Sequence, residues 1–106
     1  MSAITTHVLD TAAGRPAAGV PVRLEAIHPD GVTVLADAVT DDDGRVAEVG
    51  PDQIEAGTYR LVFDTAAYQH GFFPEIGITF TVADPAQHYH VPVLLSPYAY
   101  STYRGS

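Results

Sequence analysis

His88-Tyr-His-Val-Pro-Val-Leu-Leu-Ser-Pro-Tyr-Ala-Tyr-Ser-Thr-Tyr-Arg-Gly-Ser106 reads as two strands joined at a corner. Side chains of an extended chain alternate between faces, so His88 and His90 share one face, and Pro92 and Leu94 continue it. Ser96-Pro97 marks the corner. Beyond it, period two sets Tyr100, Thr102 and Arg104 on one face and Ser101, Tyr103 and Gly105 on the other. A chain end this rich in imidazole, phenol and guanidinium frays unless something holds it, so a docked terminus is expected.

The same period recurs upstream. Ile4-Thr-Thr-His-Val-Leu-Asp10 predicts a first strand, with His7 and Leu9 opposed to Thr6 and Val8, closed by a turn at Gly14-Arg-Pro16. Between Gly19 and Ile27, Val20, Val22 and Leu24 alternate with Pro21, Arg23 and Glu25, as half-buried antiparallel strands do. His28-Pro-Asp-Gly31 predicts a turn and Val32–Thr40 the returning strand. Asp41-Asp-Asp-Gly-Arg45 is the sharpest turn, because Asp-Gly tolerates positive φ, and Arg45 is delivered just beyond it. A short strand is expected over Val46–Val49, a loop over Gly50–Gly57 and strands over Thr58–Thr65 and Ile76–Val82. One helical turn at Ala66–His70, stopped by Gly71, is the sole helical opportunity. Asp84-Pro-Ala-Gln87 turns into the carboxyl-terminal pair. Seven or eight short strands, with turn signals about every ten residues, predict an all-β domain built as a two-sheet sandwich.

A length of 106 residues fits one domain over 1–106. Thirteen Asp and Glu stand against five Arg and no Lys, for a net charge of −8. That balance excludes a nucleic-acid surface, which needs clustered cations, and an anionic membrane surface with it. Cysteine is absent, which removes disulfides, thiolate nucleophiles and thiolate metal ligands. The amino terminus has neither the basic nor the apolar region of a signal peptide, and no run reaches membrane-spanning length. The terminal Arg-Gly-Ser is not the Ser-Lys-Leu peroxisomal address, so a cytoplasmic protein is expected.

The residues able to carry chemistry are His7, His90 and Arg45, with Tyr103 and Ser101: an imidazole pair, a fixed cation and a phenol on or beside predicted strands. Each also has a bland reading. His90 alone is a satisfied strand histidine, Arg45 a solvated turn arginine near three aspartates, and Tyr98, Tyr100 and Tyr103 half-buried strand aromatics. His88 and His90 at i and i+2 invite a metal, with His7 as a third ligand. No cysteine is available and no carboxylate lies beside the pair, so no metal is expected. A Ser-His-Asp hydrolase has no Gly-x-Ser-x-Gly elbow to build on.

The opening Thr-His7-Val-Leu-Asp-Thr with Gly14-Arg-Pro-Ala, the turn Thr40-Asp-Asp-Asp-Gly-Arg45, Phe72-Phe-Pro-Glu-Ile and the whole run from His88 to Ser106 closely resemble the 5-hydroxyisourate hydrolases, the transthyretin-related family of urate breakdown. The likeness runs from end to end. The terminal Tyr103-Arg-Gly-Ser106 separates those hydrolases from the hormone-carrying transthyretins. The resemblance implies a transthyretin-like sandwich of two four-stranded sheets with at most one short helical turn, assembled as a homotetramer. The first strand and the last two would line a channel there, with active sites at its ends.

It further implies cofactor-free hydrolysis of 5-hydroxyisourate to 2-oxo-4-hydroxy-4-carboxy-5-ureidoimidazoline. His7, Arg45 and His90 would be catalytic, with His7, Arg45, Tyr103 and Ser106 contacting substrate. His88 takes a structural or supporting role. The rival is a transthyretin-like carrier that binds an aromatic ligand in the channel without chemistry, and an acid/base pair has no use in it. Two departures from the family stand out. The segment between Tyr68 and Phe72 is about five residues short, a count that rests on the resemblance alone. Ala99 replaces the usual Gly, and its β-carbon excludes a strongly positive φ at the corner.

Overall fold

The structure is a computed structural model and describes residues 2–106. Among the described residues nine strands form, in order β1 Ile4–Asp10, β2 Arg15–Pro16, β3 Pro21–His28, β4 Gly31–Val39, β5 Arg45–Val46, β6 Gly57–Phe63, β7 Ile76–Val82, β8 Tyr89–Leu95 and β9 Tyr100–Thr102. One sheet runs β4-β3-β6-β7 and the other β2-β1-β8-β9, with β5 also on β1. Helical structure among the described residues is the single 3-10 turn Thr65–Ala67, whose Ala67 N–H donates to the Asp64 carboxylate.

Alternation builds the core. Ile4, Thr6, Val8 and Asp10 of β1 are buried while Thr5, His7 and Leu9 are half-buried on the other face. Val22 and Leu24 of β3, Leu61 and Phe63 of β6, Ile76 of β7, and Val93 and Leu95 of β8 fill the space between the sheets. The sheets thus meet through the apolar half of each strand's period, as sandwiches do. On the outer face of β3, Glu25 is held by Arg60 across the strands at 2.7 Å.

The second sheet has five strands by count, where two four-stranded sheets were expected, but is four strands wide. β2 pairs with Leu9 and Asp10 of β1, and β5 pairs with Thr6 and His7, so two dipeptides share one edge. The strand expected over Val46–Val49 contracts to Arg45–Val46, since Val49 leaves the edge to join the core. In β4 the alternation breaks at Leu35, which is skipped in the pairing of Leu24 with Ala36 and Glu25 with Val34: a β-bulge.

The short segment after β6 packs at one end of the second sheet. Tyr68 donates its hydroxyl to Asp10 Oδ2 at 2.6 Å, Gln69 donates to the Ser96 carbonyl and Phe72 N–H to the Pro97 carbonyl. Corner residue Ala99 accepts from Ser96 N–H and Oγ, and no described residue other than glycine has positive φ, so the alanine fits its place.

Candidate active site

β1 and β8 run parallel and in register, pairing Thr5 with His90, His7 with Pro92 and Leu9 with Leu94. β5 places Arg45 opposite His7. β9 pairs Ser101 with Leu94, and the bridge from His90 to Gly105 keeps the same register, so Tyr103 counts opposite Pro92. Directly paired residues share a face. One rung across the outer face therefore reads Arg45, His7, Pro92, Tyr103, and the next reads Thr5, His90, Gly105. Neighbouring strands lie about 4.8 Å apart and same-face rungs about 7 Å apart, so His7, Arg45 and His90 come together, while Tyr103 stands on the same face two strands from His7.

Arg45 is aimed by its turn. Asp41 Oδ1 accepts from the N–H groups of Asp43 and Arg45 at 2.9 and 3.0 Å, Gly44 turns at φ 74°, and its carbonyl accepts from Val8 N–H at 2.7 Å. A β-carbon at Gly44 would collide with the Val8 carbonyl, so the sharp Asp-Gly turn is also a docking contact. Among the described residues the ion pairs are Arg23 with Asp37 and Arg60 with Glu25, so no carboxylate holds the Arg45 guanidinium. His7 Nε2 lies 2.8 Å from the Asp43 carbonyl, which can only accept, so that nitrogen carries the proton.

Thr5, Thr6, Arg45, Val46, Ala47, His88, His90 and Ser106 surround a cavity of about 290 Å³. Burial lowers the pKa of His90 below the ordinary 6.5, and the nearby Arg45, His7 and His88 lower it further. Burial leads here, ahead of the neighbouring charges. The arrangement offers a neutral imidazole, a fixed cation and a partly dry wall, the parts needed to activate water and steady a developing oxyanion. Among the described residues no cluster of three or more His, Cys, Asp or Glu is placed to hold a metal ion.

Of the expected site residues, His90, Arg45 and Ser106 line this cavity. His7 stands beside Arg45 on the same face. Tyr103, 58% exposed, borders a second, apolar cavity of about 250 Å³ along the sheet edge with Ile78, Phe80, Tyr89, Val91 and Thr102. The docked terminus is made by Gly105 N–H donating to the His90 carbonyl at 2.8 Å, and by Arg104, which lies over the Tyr89 ring and bonds Gln87. One residue at the site escaped the sequence reading: Thr5, which bonds both His88 and His90. Period two from His7 would have found it, but a threonine does not announce chemistry. Gly105, set with Tyr103 by period two, packs against the His90 ring.

The sequence model of the HIUase/Transthyretin family matches residues 4–105. A 5-hydroxyisourate hydrolase of Salmonella typhimurium is 45% identical over 109 residues, covering 97% of this chain and 80% of that protein. The structure of Klebsiella pneumoniae 5-hydroxyisourate hydrolase superposes with a TM-score of 0.85 at 36% identity, covering 97% and 98% of the two chains. Transthyretin from Sparus aurata superposes with a TM-score of 0.91 at 30% identity, covering 99% and 97%.

Proposed function

The chain belongs to the HIUase/transthyretin family, and from that premise we propose that it is a 5-hydroxyisourate hydrolase, opening its substrate at the N1–C6 amide bond with water and without a cofactor. The observation that carries the reading is the shared sheet face on which His7, Arg45 and His90 meet. Backbone shape alone does not separate enzyme from carrier, since the transthyretin superposes at least as well as the hydrolase. The imidazole pair beside a guanidinium that no described carboxylate pairs favours the enzyme.

His90 is the general base. It lines the cavity and keeps its neutral form readily, whereas His7 commits Nε2 to the Asp43 carbonyl. Water gives a proton to His90 as its oxygen bonds C6. The carbonyl electron pair moves onto oxygen, where the Arg45 guanidinium offsets the charge. Collapse breaks C6–N1, and the leaving nitrogen takes a proton from the imidazole pair, giving 2-oxo-4-hydroxy-4-carboxy-5-ureidoimidazoline. Tyr103 orients the ring by its hydroxyl and face, and Ser106 supports the substrate from the cavity wall. The enzyme works as a homotetramer in which the outer face of the second sheet lines a channel. Its compartment in this reading is the cytoplasm, which fractionation of source cells would check.

The test follows the ultraviolet decay of freshly made 5-hydroxyisourate with the wild-type protein and with His90→Ala. Decay that is fast with wild type, survives chelator and drops by about a hundredfold or more in the variant is expected, given the usual weight of a general base. Wild-type protein that leaves the spontaneous rate unchanged overturns the hydrolase in favour of the carrier.

A further inference from the structure

Thr5 stands between the two histidines of β8, although 83 and 85 residues separate it from them in sequence. Its Oγ1 lies 2.9 Å from His88 Nε2 and 2.8 Å from His90 Nδ1. A hydroxyl has one proton to give, and each neutral imidazole has one N–H. Where the hydroxyl proton goes to one of the two rings, two arrangements satisfy both contacts; a third, in which both rings donate to the two lone pairs of the hydroxyl oxygen, also protonates His90 at Nδ1. In one, His88 Nε2–H donates to Thr5 and Thr5 donates to His90 Nδ1, which leaves the His90 proton on Nε2. In the other, His90 Nδ1–H donates to Thr5, Thr5 donates to His88 Nε2, and His90 Nε2 is bare. One hydroxyl thereby couples the tautomers of two rings.

The surroundings choose between them. Arg45, a fixed cation, lines the same cavity as His90, and no carboxylate among the described residues forms an ion pair with it. A positive charge disfavours an N–H dipole presented to the cavity and favours a bare lone pair there. With Nδ1 held by Thr5, the cavity-side nitrogen is Nε2. We infer that Thr5, braced by His88, is a positioning residue that keeps His90 in its Nδ1–H tautomer with Nε2 bare. His88 is then the anchor of the hydroxyl rather than a second base. What the bare nitrogen does, accepting the proton of water, rests on the hydrolase reading; the tautomer itself does not.

Long-range proton–nitrogen NMR of the imidazoles at mildly alkaline pH tests this on the intact protein. Wild type is expected to show His90 protonated at Nδ1 and bare at Nε2. Thr5→Val keeps the β-branched shape that suits the strand and removes only the hydroxyl, so His90 should move to Nε2–H or to a mixture of tautomers. Thr5→Ser should restore the wild-type pattern. In parallel, kcat on 5-hydroxyisourate should fall about tenfold in Thr5→Val, the share one hydrogen bond can set, and recover in Thr5→Ser. Wild-type His90 protonated on Nε2, or a Thr5→Val spectrum like wild type, overturns the assignment. Inactive wild type with the expected spectra sinks the hydrolase and leaves the tautomer assignment standing. The wild-type spectrum decides even where the valine variant folds poorly.

Discussion

Gly105 shows how closely the terminus is fitted to the site. A β-carbon there would stand 2.6 Å from His90 Cδ2 and 3.3 Å from Pro92 Cγ, with the backbone bond to the His90 carbonyl holding it in place. Gly105→Ala should therefore displace the imidazole and cut kcat by about tenfold or more, since small misplacements of a reacting group are costly. Its melting temperature should stay within a few degrees of wild type; unchanged kcat would refute the contact. His90 itself predicts a pH response. Its folded pKa lies below 6.5, so the unfolded chain takes up the proton first as pH falls. Stability is then fully present above about 6.5 and declines as pH falls from there toward the folded value. Urea unfolding of wild type and His90→Gln across pH 8 to 5 should show this slope in wild type alone. The base form likewise persists, so the rate should hold as pH falls through 6.5 before it drops. The bland reading of His90 fails because Thr5, Arg45 and Gly105 surround it, and three of those four residues come from different strands.

At the scale of elements, the end of β1 is tied to the segment after β6 by Tyr68 and Asp10. Asp10 is only 7% exposed, and the Tyr68 hydroxyl is the leading cause of its lowered pKa, with the N–H groups of Ala13 and Ala12 adding to it. The same bond raises the pKa of Tyr68. Tyr68→Phe should cost about 1.5–3 kcal/mol in urea unfolding at neutral pH, the range for a hydrogen bond to a charged group. The sign of each shift sets the window. The Asp10 contribution is present above 3.8 and lost as pH falls below it, and the Tyr68 contribution is present below 10.0 and lost as pH rises past it. A variant as stable as wild type at pH 7 would refute the tie. Activity should be spared, because three residues, about 10 Å of strand, separate Asp10 from His7, and the two side chains lie on opposite faces of the sheet. Strands β1 and β7 were legible to the residue because their alternation is unbroken. β5 was not, since its two residues are a strand only through the partner they meet.

For the whole molecule, the apolar cavity between β7 and the β8–β9 edge, with Ile78 and Phe80 on its wall, is where an assembly of copies would find surface to bury. Light scattering should give the mass of four chains, and Ile78→Arg should lower that mass and the activity together; a single-chain mass for wild type would refute the tetramer. The sequence, read residue by residue, was enough for the long strands, their faces, the Asp-Gly turn that carries Arg45 and the resemblance that names the chemistry. All of these follow from local sterics, from a period of two and from motifs that stay contiguous. It could not yield the rungs. Which residue of β1 meets which residue of β8, across more than eighty positions, depends on how the two apolar faces close over one core. That closure puts Thr5 beside His90 through a parallel pairing, and Arg45 beside His7 and Gly105 against an imidazole through antiparallel ones; the pairing of strands as distant as β1 and β8 is chosen by packing, and no local signal in the chain encodes it.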